Sequence, residues 1–288
     1  MEPKERLPLS GIIEKTVIVF VLGYGLHYFG YFLRARYFAW LETLAPEEGI
    51  SHALMYLGHT VFLLIMLVYA LAVKEDRKYF LDIFRGKPLG NLTYALAGAV
   101  VGFSMMWICV FAAAVNGILS IKPASGFPLP LLVLSVFAVL VQASTEELES
   151  RAFVFGKMHG EGVPLVPAVL ASSFFFSYLH AANPGFGLLP LLSIFIAGMM
   201  YCLSYYCTGC LWFSCTVHMM WNFTQDFIFG LPDSGRAAAV SLFQTTVKGS
   251  SPFFFDEVFG IEGSYMAILV NLAACVLIVL ISRRWKKR

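Results

Sequence analysis

The sequence predicts an all-α protein, a transmembrane helical bundle of about eight spans. Of its 288 residues, 59% are hydrophobic and only 13% are charged, and the mean hydropathy is +0.75. Soluble domains carry about 25% charged residues, so this composition favours the membrane. Because lipid cannot satisfy backbone polar groups, long apolar spans should be helices rather than strands.

Eight apolar stretches are long enough, or nearly so, to cross a hydrocarbon core of about 30 Å as helices. They comprise residues 16–33, 51–73, 91–119, 129–150, 163–182, 187–206, 210–229 and 265–282. We find no internal repeat and no low-complexity segment among them. The simplest division is therefore a single integral membrane domain, residues 1–288.

Lysine and arginine are distributed unevenly between the loops and tails that these spans connect. With eight spans both termini lie on one side, and that side carries 15 of the 20 basic residues. The positive-inside rule then predicts a multi-pass protein of the cell membrane with both termini in the cytoplasm. No basic tract with interleaved aromatics is present, so the expected partner is the lipid bilayer and not nucleic acid.

Ionisable side chains inside apolar spans are costly, and they indicate function by default. The first such group ends the fourth span, where Glu146 and Glu147 are followed by Glu149 and Arg151. Glu147 and Arg151 are four residues apart and can pair on one helix face. Glu146 is rotated about 100° from Glu147 and stays free for chemistry. An ordinary helix end with a surface salt bridge accounts for this string equally well.

His180 ends the fifth span. Phe176, four residues earlier, can pack on its imidazole, and Asn183 lies three residues later on the same helix face. Pro184 and Gly185 then end the helix. Taken alone, this pattern is typical of a histidine near the membrane interface.

A polar stripe marks the seventh span. His218 and Asn222 are four residues apart, and Asp226 follows one turn later, so the three stack on one helix face. The pattern favours function over an internal hydrogen-bond ladder.

The turn at residues 160–164 relates the first two sites. Glu146 lies 17 residues before position 163 and His180 lies 17 residues after it, so the two can meet across an antiparallel hairpin if the fourth helix continues through Met158. Residues 151–159 carry Arg151, Lys157 and His159 and are expected to project into the cytoplasm. Glu146 would then lie only ~10 Å, and His218 ~12 Å, below the cytoplasmic surface.

Three further histidines, His27, His52 and His59, lie in the first two spans, with His52 and His59 on one face of the second. We expect them to satisfy hydrogen bonds inside the bundle rather than to bind a ligand.

The sequence resembles the CAAX protease and bacteriocin-processing family of intramembrane endopeptidases, also called type II CAAX proteases. The family motifs E-E-x-x-x-R, F-x-x-x-H and H-x-x-x-N stand here, in the family's order, as Glu146-Glu147-x-x-x-Arg151, Phe176-x-x-x-His180 and His218-x-x-x-Asn222. The residues around them look like those of prokaryotic members. The likeness covers about residues 130–230, the expected catalytic core, and departs from the family at Glu149 and Ala152.

The resemblance implies hydrolysis of membrane-associated peptides or proteins, prenylated CAAX-type substrates among them. It implies that Glu146 activates water, that His180 positions the water, and that His218 and Asn222 donate hydrogen bonds to the oxyanion. The implied supporting residues are Glu147, Arg151, Asn183 and Phe176. No cofactor is favoured, because the H-E-x-x-H signature is absent; the alternative is zinc bound by Glu146, His180 and His218.

Two functions other than proteolysis remain open. The buried acids and histidines also suit a proton relay in a transporter, although transporters often show repeated halves. A non-proteolytic scaffold or bacteriocin-immunity protein that sequesters a peptide fits the same residues.

Overall fold

Helices form most of the chain in the computed structural model, which describes residues 7–44, 48–126, 128–237, 240–249 and 251–285. The α-helices are α1 Leu9–Leu44, α2 Glu48–Leu57, α3 Thr60–Ala72, α4 Arg77–Phe80, α5 Pro88–Val115, α6 Leu129–Glu147, α7 Gly156–Gly160, α8 Leu165–Tyr178, α9 Leu188–Thr208, α10 Leu211–Phe223 and α11 Tyr265–Trp285. A helical bundle was predicted, and this prediction is confirmed. Five basic residues of the orientation argument, at positions 4, 6 and 286–288, lie outside the described ranges.

Six helical segments of the described chain are long and apolar enough to cross a membrane. They are Leu9–Trp40, Gly49–Ala72, Pro88–Val115, Leu129–Gly160, Leu188–Thr208 and Tyr265–Ser282. The predicted count of about eight is not confirmed. The fifth predicted span contains only α8, whose 14 residues rise about 21 Å. The seventh contains α10 and a π-helical turn, Thr224–Ile228.

The second span is broken in the middle. The predicted continuous helix over residues 51–73 divides at Gly58 and His59, between α2 and α3. The backbone N–H of His59 donates to Tyr56 at 3.1 Å, a tighter turn than an α-helix makes. This break places the His59 side chain in the interior of the bundle.

The fourth span continues unbroken from α6 through α7, because the π-helical segment Leu148–Phe155 joins them. The condition for Glu146 and His180 to meet, that the fourth helix continue through Met158, is fulfilled. Arg151 and Met158 are fully buried within the bundle, and the projection of residues 151–159 into the cytoplasm stays a prediction. Ion pairs of Lys157 with Asp76 and of Glu161 with Lys15 fasten this end to the rest of the bundle.

The loops on the other side pack into one structure, here called the loop end, formed by the described parts of residues 116–128, 179–187 and 229–264. Strand β1, Leu119–Pro123, pairs antiparallel with β2, Phe243–Val247. Residues 233–236 form a tight turn with positive φ at Ser234 and Gly235, as in a two-residue hairpin loop. The terminal end, where α1 begins and α11 ends, is opposite.

Helices α5 and α10 pack against each other through glycines, as small residues allow in membrane bundles. A Cβ at Gly102 would lie 2.2 Å from the Val217 carbonyl oxygen, and one at Gly98 would lie 2.4 Å from the Phe213 oxygen. The hydroxyl of Thr216 donates to the Ala95 carbonyl at 2.8 Å. Because α10 carries His218 and Asn222, this close approach also fixes the depth of the two polar side chains.

We expect Gly102→Ala to destabilise the protein by about 1–3 kcal/mol, since backbone must move to admit the methyl group. Thermal unfolding in detergent measures this effect. Gly90→Ala is the matched control, because Gly90 lies on the same helix with no atom near its Cβ position; alanine there should be neutral or slightly stabilising. Equal stability of the two variants would show that the contact is not tight.

Candidate functional site

The carboxylate of Glu146 lies at the end of α6 among polar side chains from three helices. Gln142 donates to its Oε1 at 2.7 Å. The Nε2 atom of His59 is 3.6 Å from the same oxygen, and Nε2 of His218 is 3.8 Å from Oε2. Both histidine distances exceed a direct hydrogen bond. Glu146 is therefore held on one oxygen, between two imidazoles, and its other oxygen has no hydrogen-bond partner.

Glu147, the next residue, has a different ion-pair partner. Its side chain is fully buried, and its Oε1 is 3.2 Å from the guanidinium of Arg151. The Arg151 guanidinium also lies 4.0 Å from the ring centre of Phe176, a cation–π contact. Pairing of Glu147 with Arg151 was predicted and is confirmed. One acid of the pair is neutralised by this arginine, and the other is left with imidazole neighbours.

Three neighbouring side chains hold the His218 ring in place. Its Nδ1 donates to Glu147 Oε1 at 3.0 Å, and the ring stacks on Tyr201 with centres 5.0 Å apart. Phe176 approaches edge-on at 5.7 Å. A carboxylate that accepts from Nδ1 sets the tautomer and the direction of Nε2, which here points toward Glu146.

His180 does not lie in a helix, contrary to the sequence expectation. Helix α8 ends at Tyr178, so His180 and Asn183 lie in the following turn. The Nδ1 of His180 donates to the Phe176 carbonyl at 3.0 Å, and the Phe176 ring packs edge-on against the imidazole at 5.1 Å. The predicted packing of Phe176 on His180 is confirmed. In a neutral imidazole this leaves Nε2 as an acceptor.

Asn222 is linked to Glu146 through Gln142. Its Nδ2 donates to Gln142 Oε1 at 3.2 Å, and Gln142 donates onward to Glu146. One N–H of the Asn222 amide stays available. The predicted stripe with Asp226 is only partly correct, because the helix widens to a π-helix at Thr224 and Asp226 binds His52, at 2.6 Å, away from the site.

These side chains surround a cavity of about 440 Å³, within the size range of ligand pockets. Glu146, His180 and Asn222 line it, together with His59, Asn183 and the aromatic rings of Tyr28, Tyr31, Phe62 and Tyr178. His218 lies behind Glu146 and lines, with His180 and Glu262, a second cavity of about 20 Å³. The structure thus brings the four predicted catalytic residues to one place.

The cavity opens toward the loop end. Its wall includes Pro184, Asp233, Ser234 and Arg236, and no described residue beyond position 62 of α3 or beyond position 146 of the fourth span contributes to it. Glu146 lies 14 residues before Gly160, or about 21 Å from the terminal end at 1.5 Å per residue. The predicted depth of Glu146 below the cytoplasmic surface stays a prediction.

Sequence reasoning missed two residues of the site. Gln142 is four residues before Glu146, a spacing that places side chains in contact on a helix, so this signal was available. His59 was assigned to bundle hydrogen bonds together with His27 and His52. The assignment to bundle hydrogen bonds holds for His27, which contacts Glu149 at 3.1 Å, and for His52, which contacts Asp226. His59 faces Glu146 only because α2 and α3 are broken at Gly58, which the sequence pattern did not show.

We expect His59→Ala to lower kcat by up to about 100-fold, because a carboxylate displaced by about 1 Å loses this much activity, while some cleavage remains. Cleavage rate and thermal stability should be measured together. His52→Gln is the matched control, since His52 lies on the same span, binds Asp226 and is absent from the cavity wall. It should lower stability and keep the rate. A wild-type rate in His59→Ala would show that His59 does not position Glu146.

The residues do not fit the alternative zinc site as they are placed. Among the described residues, no three His, Cys, Asp or Glu side chains converge closely enough to hold a metal ion. The Nδ1 of His218 is already bound to Glu147, so only its Nε2 remains for a metal. We therefore assign no step to a metal.

Comparison with known proteins identifies one family. Residues 128–224 match a family model described as Rce1-like, type II CAAX prenyl endopeptidase Rce1-like. The matched segment contains Glu146, Glu147, Arg151, Phe176, His180, His218 and Asn222, and the match confirms the resemblance that the sequence motifs indicated. No curated protein and no solved structure matches the chain.

Proposed function

We propose that this chain, whose residues 128–224 carry an Rce1-like domain of the type II CAAX prenyl endopeptidases, hydrolyses peptide bonds with a water molecule activated by Glu146. The family match supports a membrane-embedded endopeptidase. The observation that supports the mechanism is that the two neighbouring acids have different partners. Glu147 forms an ion pair with Arg151, whereas Glu146 faces the cavity with one oxygen free of hydrogen bonds.

The proposed base is Glu146, assisted by His180. A water molecule in the cavity gives one proton to the Glu146 carboxylate while its oxygen attacks the carbonyl carbon. His180 accepts a hydrogen bond from this water at Nε2, because its Nδ1–H is bound to the Phe176 carbonyl. The proton then passes from Glu146 to the leaving amine, so that one water yields a carboxyl and an amino terminus.

The proposed oxyanion donors are His218 and Asn222. The doubly protonated imidazole of His218 donates from Nε2 while its Nδ1–H stays bound to Glu147. Asn222 donates its second amide hydrogen, since the first is bound to Gln142. Two fixed donors stabilise a developing oxyanion strongly.

The cavity wall supports a substrate that arrives from the membrane. Tyr28 and Tyr31 of α1 and Tyr178 of α8 line the cavity, and these three residues are 45–58% exposed. Tyr24 contacts Tyr178 with ring centres 5.7 Å apart, and α8 ends at this level while α1 continues. The proposed lateral path of a lipid-anchored peptide to Glu146 runs past these tyrosine rings, between α1 and α8.

The test is cleavage of a farnesylated fluorescent peptide by purified protein reconstituted in liposomes, with products identified by mass spectrometry. We expect a single major scission that requires folded protein. A peptide of the same sequence without the lipid should be cleaved more slowly, because it does not concentrate in the bilayer. Absence of cleavage of farnesylated peptides and of other membrane-anchored peptides would contradict the proposal.

One observation favours a second candidate, a proton-coupled transporter. The Tyr56 hydroxyl lies 2.7 Å from Asp226 and 2.6 Å from Asp233, and His52 also contacts Asp226. A chain of buried titratable groups is typical of proton pathways. Proton uptake by the same liposomes, followed with an internal pH dye, would support this function if peptide cleavage is absent.

A further inference from the structure

Two arginines occupy the cavity wall near the loop end. Arg34 of α1 is only 8% exposed, and its Nη2 donates to the Met55 carbonyl at 2.8 Å. Arg236, from the turn at residues 233–236, places Nη1 3.1 Å from the Met55 sulfur. Both guanidinium groups therefore contact one residue and lie close to each other.

Neither arginine has a carboxylate partner among the described residues. The Nε atom of Arg34 is buried and makes no hydrogen bond. The guanidinium is packed against the helix break, since a Cβ at Gly58 would lie 3.0 Å from this Nε. A buried charge without a partner is expensive, and two like charges side by side add to the cost. Two unpaired arginines at this position are explained if an anion binds to them during function.

The acids of the cavity do not supply that anion. Among the described residues of the wall, the carboxylates are Glu146 and Asp233. Glu146 accepts from Gln142 and faces the imidazoles. Asp233 contacts the Tyr56 hydroxyl at 2.6 Å, and burial raises the pKa of Asp233 well above its usual range, with the carboxylates of Glu262 and Asp226 adding to the rise. Among the described residues, neither of these two carboxylates forms an ion pair with Arg34 or Arg236.

We propose that Arg34 and Arg236 form a carboxylate-binding subsite of the cavity and thereby select peptides that carry a negative charge close to the cleaved bond. This inference rests on the proposed function and adds a substrate class to it. Arginine binds carboxylates through paired, charge-assisted hydrogen bonds of fixed geometry. The carboxylate is either the free C-terminus of the peptide or an acidic side chain near the scissile bond.

The helix break sets the distance between the subsite and the catalytic acid. Gly58 contacts Arg34, and the next residue, His59, faces Glu146. Arg34, Arg236 and Glu146 line the same cavity of about 440 Å³; a compact space of this volume is roughly 10 Å across, or about three extended residues. The bound carboxylate therefore lies only a few residues from the bond that Glu146 addresses.

The experiment uses full-length Glu146→Gln protein in detergent, so that binding is measured without cleavage. Three fluorescent farnesylated peptides of one sequence are compared by fluorescence polarisation: one with a free C-terminus, one with a C-terminal amide, and one amidated with an aspartate beside the terminus. We expect the free acid to bind at least tenfold more tightly than the plain amide, as charge-assisted hydrogen bonds predict. If the free-acid peptide and the plain amide bind equally and the aspartate peptide binds tightly, the subsite recognises an acidic side chain instead.

Substitution of the arginines locates the effect. Arg34→Gln and Arg236→Gln should each remove the preference for the charged peptide while binding of the plain amide stays unchanged. Arg36→Gln is the matched control, because Arg36 is on the same helix but lies over Phe32 and not on the cavity wall; its preference should equal that of the parent protein. Equal binding of all three peptides, no binding of any, or a preference that survives both substitutions would overturn the subsite.

The two proposals fail in different ways. Binding of charged peptides without cleavage by the wild-type protein leaves the subsite intact and contradicts the endopeptidase mechanism. Cleavage of acid and amide peptides at equal rates contradicts the subsite and leaves the mechanism intact.

Discussion

Glu146→Gln abolishes peptide hydrolysis, with an expected loss of at least about 1,000-fold in kcat, and leaves the protein folded. Glutamine has the shape of glutamate but cannot accept the proton of the attacking water, and a positioned base contributes about 10²–10⁴-fold. Its amide can still bond to Gln142, so packing at the end of α6 is retained. The measurement is the initial rate on a farnesylated peptide in liposomes, with thermal unfolding of the same sample.

The matched control for this variant is Glu257→Gln, which removes an exposed carboxylate at the loop end. It should keep the wild-type rate, because Glu257 is not part of the cavity wall. If Glu146→Gln retains more than about a tenth of the activity, Glu146 is not the base, and His180 becomes the remaining candidate. If Glu146→Gln fails to fold, Glu146→Asp in the same assay distinguishes a shortened base from a lost one.

Arg151→Met strongly destabilises the protein, by about 3–5 kcal/mol, since it leaves the fully buried Glu147 carboxylate without its partner. The cation–π contact of Arg151 with Phe176, at 4.0 Å, is lost as well. Chemical unfolding in mixed micelles measures the free energy. The rate should also fall, because Glu147 orients His218 through Nδ1.

A double variant, Glu147→Gln with Arg151→Met, removes both charges of the pair. It should recover most of the lost stability, because neither of these two positions then buries an unpaired charge. It should not recover the rate, because the imidazole of His218 then lacks its carboxylate. The comparison variant is Arg85→Gln: Arg85 is 54% exposed and lies 3.4 Å from Asp82, a pair expected to contribute at most about 1 kcal/mol. A similar small change for Arg151→Met would show that the buried pair contributes little.

The local arrangement of the acids followed from helix geometry alone. Glu147 and Arg151 pair at a spacing of four residues, and the same rule applied to Gln142 and Glu146 would have found the bond between them. The family motifs added the roles, which spacing cannot supply. What the sequence pattern did not show was where helices deviate from regular geometry.

Three deviations account for the errors. Helix α8 stops at Tyr178, so that His180 lies in a turn. The second span breaks at Gly58 and turns His59 toward Glu146. Hydropathy averages over about 20 residues and does not detect either change. The third is the π-helix that begins at Thr224, where Asp226 leaves the stripe of His218 and Asn222 and binds His52.

The size of the main cavity limits the conformation in which a peptide can reach Glu146. An α-helix with its side chains is about 10 Å across, so about 440 Å³ encloses roughly one helical turn. A membrane-spanning helix must therefore unwind before its backbone carbonyl meets the acid. Helix-weakening residues such as glycine or proline near the scissile bond should accelerate turnover, and uninterrupted leucine-rich helices should resist it even when they are anchored beside the enzyme.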